Sequence, residues 1–163
     1  MPLLENGQLK EEIWQVAIEG EALPEGNVLV PLARLPEALG RNSDGALGVL
    51  LAPDEDVEAL RIALPRLTAV QLTFPIFRDG RAFTQARALR EHLHFKGAIR
   101  AAGHILPDQY EFLLRCGVTE VVVPEKTDVS VWERAHKAFT VAYQPSILKE
   151  APEGVALRRY LSR

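Results

Sequence analysis

Arginines crowd the one stretch of this sequence whose residue types could hold a charged ligand. Phe74-Pro75-Ile76-Phe77-Arg78-Asp79-Gly80-Arg81 runs on into Ala82-Phe83-Thr84-Gln85-Ala86-Arg87-Ala88-Leu89-Arg90, a pattern that passes from the end of a strand through a turn into a helix. Between Phe74 and Gly103 six basic residues (Arg78, Arg81, Arg87, Arg90, Lys96, Arg100) stand against Asp79 and Glu91, a local charge of +4 in a chain of net charge −3. A helix amino terminus adds the partial positive charge of its free N–H groups. Arg78 and Arg81 would supply forked donors, and Gly80 would let the backbone approach an anion closely. Asp79 could cap the helix or orient an arginine. The competing reading is that these arginines are solvated or pair with acidic neighbours.

Further along, Arg100 precedes Ala101-Ala102-Gly103-His104, and Asp108 and Gln109 open the next helical stretch. If neighbouring strands follow sequence order, Arg100 and His104 share a rim with the Arg78 turn, and Gln85, Asp108 and Gln109 complete a polar pocket. The predicted anion- or partner-binding set is therefore Arg78, Gly80, Arg81, Gln85, Arg100, Asp108 and Gln109. Asp79 and His104 are the residues there that could move a proton, without a motif that assigns them a catalytic role. Cys116 reads as a packed thiol at a helix carboxyl end, and Asp54, Glu55 and Asp56 read as helix-capping residues. His92 and His94 diverge near a helix end with no carboxylate at ligand spacing, so no metal site is expected. No Walker loop, Gly-x-Gly-x-x-Gly or Gly-x-Ser-x-Gly motif occurs, and no cofactor is expected.

The elements that must position these residues are short apolar runs alternating with helical stretches. The runs are 28–30, 47–51, 70–74, 97–101 and 120–123, and the helices are expected near 33–39, 55–65, 81–94, 107–116 and 129–139. This alternation predicts an α/β fold with a mainly parallel sheet of about five strands built from successive βα units, either in order as in part of a barrel or doubly wound. Ahead of it, Leu3-Leu4, Glu5-Asn6-Gly7 and Gln8-Leu9 predict a β-hairpin, and residues 13–18 alternate like another strand. One α/β domain is expected over 1–144, with the hairpin region in 1–20, followed by a tail or arm over 145–163 that could serve a homodimer.

At 163 residues the chain is long enough to bury a core without disulfides, and its single cysteine excludes a self-contained cysteine-ligated cluster. No apolar run approaches a membrane span, and the net charge of −3 disfavours nucleic acid. The amino terminus lacks the features of a secretion signal, so the expected setting is the cytoplasm.

Phe74-Pro75 through Asp79-Gly80-Arg81, Gln85-Ala86-Arg87, Leu89-Arg90, Arg100-Ala101, Asp108-Gln109 and Arg115-Cys116-Gly117 resemble a bacterial family, domain of unknown function 934. The resemblance extends to Leu51-Ala52-Pro53-Asp54-Glu55-Asp56-Val57-Glu58 and to Ala142-Tyr143-Gln144. His104 departs from the polar or acidic residue usual there. The resemblance implies a place beside assimilatory sulfite reductase and the label of an oxidoreductase of sulfite reduction. Sulfite, sulfate and phosphorylated sulfur intermediates are anions, which agrees with the arginine turn. The expectation is an accessory or anion-binding protein of sulfite or sulfate reduction without redox chemistry of its own, partnered by the sulfite reductase machinery or a small anion. The alternatives are a small enzyme acting on an anionic metabolite and a structural homodimer.

Overall fold

The computed structural model describes residues 2–138, 141–142, 146–147 and 155–156. The hairpin forms where Asn6 and Gly7 can take positive φ (50° and 75°), joining strands β1 (Leu3–Glu5) and β2 (Gln8–Lys10). The five apolar runs become β4 (Val28–Pro31), β5 (Leu47–Leu51), β6 (Ala69–Phe74), β7 (Ala98–Gly103) and β8 (Glu120–Val122). They are preceded by a two-residue strand β3 (Gln15–Val16). All six pair in parallel and in sequence order, which selects the barrel-like arrangement over the doubly wound one. The expected count of about five is corrected to eight in this sheet. β3 adds one edge, and the hairpin docks antiparallel on β8 through β1 to form the other. A separate parallel pair joins β9 (Val141–Ala142) to β10 (Val155–Ala156). The remainder of the expected 145–163 arm lies largely outside the described residues.

Connection length dictates the curvature. β2 and β3 are the two edges of the sheet, yet only residues 11–14 link them. Five Cα steps reach at most about 18 Å. Eight flat strands would hold their edges roughly 33 Å apart. The sheet therefore curls into a half-barrel, and residues 11–14 cross its open side. The hairpin thus ends at Lys10, and the rest of the expected 1–20 region is this crossing segment and β3.

The outer face of the sheet carries Val28, Val30, Val49, Leu51, Val70, Leu72, Phe74, Ile99, Ala101 and Val121, all essentially buried, and forms the main core. Each Val, Leu, Ile or Phe among them contributes about 1.5–3 kcal/mol by leaving water. Helix α1 (Leu35–Leu39) follows a 3-10 turn after β4. Helix α2 (Arg81–Glu91) lays Ala82, Gln85, Ala86 and Leu89 on the sheet at i, i+3, i+4, i+7 spacing. Helix α3 (Tyr110–Arg115) and helix α4 (Val129–Lys137) meet through Tyr110 and Trp132, whose rings lie 5.6 Å apart edge to face. Tyr110 also accepts the Gly7 N–H at 3.3 Å, fastening the hairpin turn to the helix layer.

The helix expected over 55–65 forms instead as two 3-10 turns, Val57–Leu60 and Leu64–Arg66. Pro65 lacks an N–H and disfavours α geometry at Leu64, so the first turn cannot propagate. No helix among the described residues is long and apolar enough to cross a membrane.

Candidate functional site

Polar side chains gather on the inner face of the half-barrel. Strand register places Leu50, Gln71, Arg100 and Glu120 in one row across β5 to β8, and alternation puts Thr73, Ala102 and Val122 on the same side. Arg100, third residue of β7, is fully buried. Its Nη2 donates to Oε2 of Glu12, which the crossing segment carries over the open side. The Glu12 Oε1 accepts the Trp14 N–H at 3.0 Å, and the Trp14 ring centroid lies 5.8 Å from the Arg100 guanidinium. Trp14 also fills the space over Gly48, where a Cβ would sit 3.2 Å from the indole.

Glu120 Oε2 stands 3.5 Å from Arg100 Nε, a Coulombic contact without hydrogen-bond geometry. Burial pushes the Glu120 carboxyl above its ordinary value; Arg100 and Lys10 oppose this, while Glu5 and Glu12 reinforce it. Lys10 is paired with Glu5 at the rim of this cluster. Arg100 Nε and Nη1, together with Glu120 Oε2, are buried without a hydrogen-bond partner among the described residues.

The arginine turn lies apart from this row. Asp79 Oδ1 accepts the Arg81 N–H at 3.2 Å and its Nε at 3.0 Å, and Oδ2 accepts Nη2 at 2.7 Å. The guanidinium of Arg81 holds the half-buried Asp79 carboxyl below its usual range. Gly80 caps α2 at φ −90°, a conformation open to any residue. Gln85 is buried and donates to Ala52 O at 2.8 Å and Glu55 O at 2.9 Å, tying α2 to the loop after β5. Arg81 and Gln85 line a shallow depression of about 370 Å³ whose other charged walls are Glu55 and Asp56, so it is not a cationic hollow.

Arg78 is exposed and makes no side-chain hydrogen bond or ion pair among the described residues. Ile76 and Phe77 beside it are 56% and 43% exposed. His104 and Asp108 have exposed side chains, and Gln109 turns back to accept the Leu106 N–H at 3.1 Å. The His104 N–H donates to Phe74 O at 2.7 Å, which joins the loops after β6 and β7.

The structure thus brings Asp79, Gly80, Arg81 and Gln85 together at the start of α2, whereas Arg100 sits mid-strand on the inner face. Arg81 and Arg100 contact different partners and do not converge. The local +4 is largely used inside the fold. Arg87 pairs with Glu91 at 2.6 Å, and Arg90 donates to the carbonyls of Gly117, Phe95 and Gly97 at 3.0, 2.6 and 2.9 Å. Cys116 is buried, which pushes its thiol up, in keeping with a packed side chain. Among the described residues no group of three or more His, Cys, Asp and Glu side chains gathers as a metal would require.

Glu12, Trp14, Gln71, Thr73 and Glu120 are the inner-face residues that motif reading passes over. For Gln71 and Thr73 the signal is their alternation with buried Val70, Leu72 and Phe74 along β6, which marks a half-open face. A family model described as bacterial protein of unknown function (DUF934) matches residues 48–153. That stretch contains the turn, Arg100 and Glu120 and leaves out Glu12 and Trp14. No curated protein and no solved structure matches the chain.

Proposed function

Because the chain belongs to the DUF934 family of bacterial proteins, we propose that it is an accessory protein of assimilatory sulfite or sulfate reduction that docks to the reductase machinery through the turn around Arg78. The sulfur setting is the one that the family resemblance implies. One observation carries the docking role: Arg78 is exposed and has no side-chain hydrogen bond or ion pair among the described residues, flanked by exposed Ile76 and Phe77. An arginine beside an aromatic and an aliphatic anchor is the composition from which interface hot spots are built.

The surrounding surface suits the same use. Leu106 and Phe112 are 38% and 47% exposed, and Phe112 stacks 4.8 Å from Phe83, which in turn meets Phe74 at 5.1 Å. This aromatic chain runs from buried Phe74, which immediately precedes the turn, to the surface at Phe112. Rigid anchors lose little side-chain entropy on binding.

Co-purification of the tagged full chain with sulfite reductase tests the proposal. The wild type is expected to retain the reductase, and Phe77→Ala with Arg78→Ala to lose it. Unaltered sulfite reduction in a clean deletion strain would remove the premise. A second reading, a small enzyme acting on an anionic metabolite, is favoured by the buried Arg100 and Glu120 rather than by the turn.

A further inference from the structure

The inner face departs from the outer face in a way that packing alone does not explain. Outside, Val, Leu, Ile and Phe side chains fill the space beneath the helices. Inside, Arg100 has polar Gln71 and Glu120 beside it in its row, Ala98 and Ala102 on its face along the strand and Ala69 on the diagonal, and Trp14 covers Gly48. Polar groups thus flank the buried cation within its row and short side chains flank it along its strand.

That cation is only partly satisfied. Glu12 takes Nη2, while Nη1 has no hydrogen-bond partner among the described residues although Arg100 is 0% exposed. A buried donor on a charged group that lacks an acceptor is costly, and an incoming acceptor oxygen recovers that cost. Oε2 of Glu120 is likewise buried and without a hydrogen bond among the described residues, 3.5 Å from Nε of the same guanidinium. Two unfilled positions therefore lie around one guanidinium, on the inner face of the half-barrel at the middle of β7 and the start of β8.

We infer that the inner face binds a small oxyanion, one oxygen on Arg100 Nη1 and another sharing a proton with the Glu120 carboxyl. This site is independent of the docking turn. Charge bookkeeping requires the proton: Arg100 and Lys10 stand against Glu5, Glu12 and Glu120, so an anion enters favourably only when Glu120, or the anion facing it, carries a hydrogen taken up from solvent. Glu12 keeps its own bond to Nη2 and acts as the like charge that limits affinity.

Titration of the full chain with sodium sulfate, sulfite, phosphate and acetate tests this, read by heat and by tryptophan fluorescence, since Trp14 borders the guanidinium. Sulfate and acetate do not themselves titrate between about pH 6 and 8.5, so any pH slope for them reports the protein. Saturable binding of at least one anion is expected, weakening about tenfold per pH unit where the shared proton is lost. Glu120→Gln is expected to flatten that slope, and Glu12→Gln to tighten binding about tenfold by removing the like charge. Arg78→Ala is expected to change nothing, which separates this site from the turn. Absence of saturation up to about 20 mM in both the wild type and Glu12→Gln would overturn the inference. So would binding that Arg78→Ala abolishes while Glu12→Gln and Glu120→Gln leave it unchanged.

Discussion

Replacing Arg100 by methionine would remove the buried cation that contacts two partly buried carboxylates, Glu12 and Glu120, on the inner face. Arg100 is fully buried, while the Glu12 and Glu120 side chains keep 22% and 18% exposure. Breaking a buried pair by removing one partner costs about 3–5 kcal/mol, because the other charge stays behind. The residual exposure of both carboxylates lets water relieve part of that charge, so the low end applies, about 3 kcal/mol. For a domain of this size that corresponds to a Tm lower by about 6–12 °C.

The pH dependence gives the same argument a sign. Arg100 is the largest influence opposing the burial of Glu120, so its loss raises the Glu120 carboxyl further. A carboxyl raised in the folded state contributes stability that is full below its ordinary range and is lost as pH rises through the raised value. The gap between Arg100→Met and wild type should therefore narrow on acidification from about pH 8 to pH 5. Melting followed by circular dichroism across that range measures it. The triple variant Arg100→Met, Glu12→Gln, Glu120→Gln should return to within about 1 kcal/mol of wild type, since a neutral set of similar volume leaves no stranded charge. A loss below about 0.5 kcal/mol for Arg100→Met, or a gap that widens in acid, would refute the buried-pair reasoning.

Glu120→Gln alone should melt at or above wild type near neutral pH, with the difference shrinking in acid as wild-type Glu120 takes its proton; paired melts at two pH values check it. Arg90→Met removes the donors to three carbonyls that join α2 to the entrances of β7 and β8, and roughly 3 kcal/mol of stability should go with them, measured by urea unfolding. Gly103→Ala should cost at least about 2 kcal/mol by the same assay, because Gly103 holds φ +114° and a Cβ there would collide with the Phe74 carbonyl.

The parallel strands are legible because 47–51 is continuous and apolar and the runs 70–74 and 97–101 keep apolar residues at alternate positions, and the buried outer face they share is the one packed against the helices. Asn6-Gly7 announced its turn just as directly. The half-open inner face was harder to see. Its evidence is confined to alternate residues such as Gln71 and Thr73, and short apolar runs invite the reading that both faces are covered. Arg100 was found as a charge but misplaced along its strand, since no local pattern fixes whether a residue ends a strand or sits within it. Its partner Glu12 lies 88 positions away in sequence, and only the curl of the sheet brings them together. The turn showed the opposite difficulty: Arg78 and Arg81 look equivalent in sequence, yet the spacing from Asp79 lets that carboxylate chelate Arg81 and leaves Arg78 exposed.

That inequality between two neighbouring arginines is what the docking account depends on. The affinity of the full chain for sulfite reductase, measured for Arg78→Glu and for Arg81→Gln, separates them. The account predicts a loss of at least about tenfold for Arg78→Glu and a change within about threefold for Arg81→Gln. Equal losses, a loss confined to Arg81→Gln, or no binding by the wild type would contradict it.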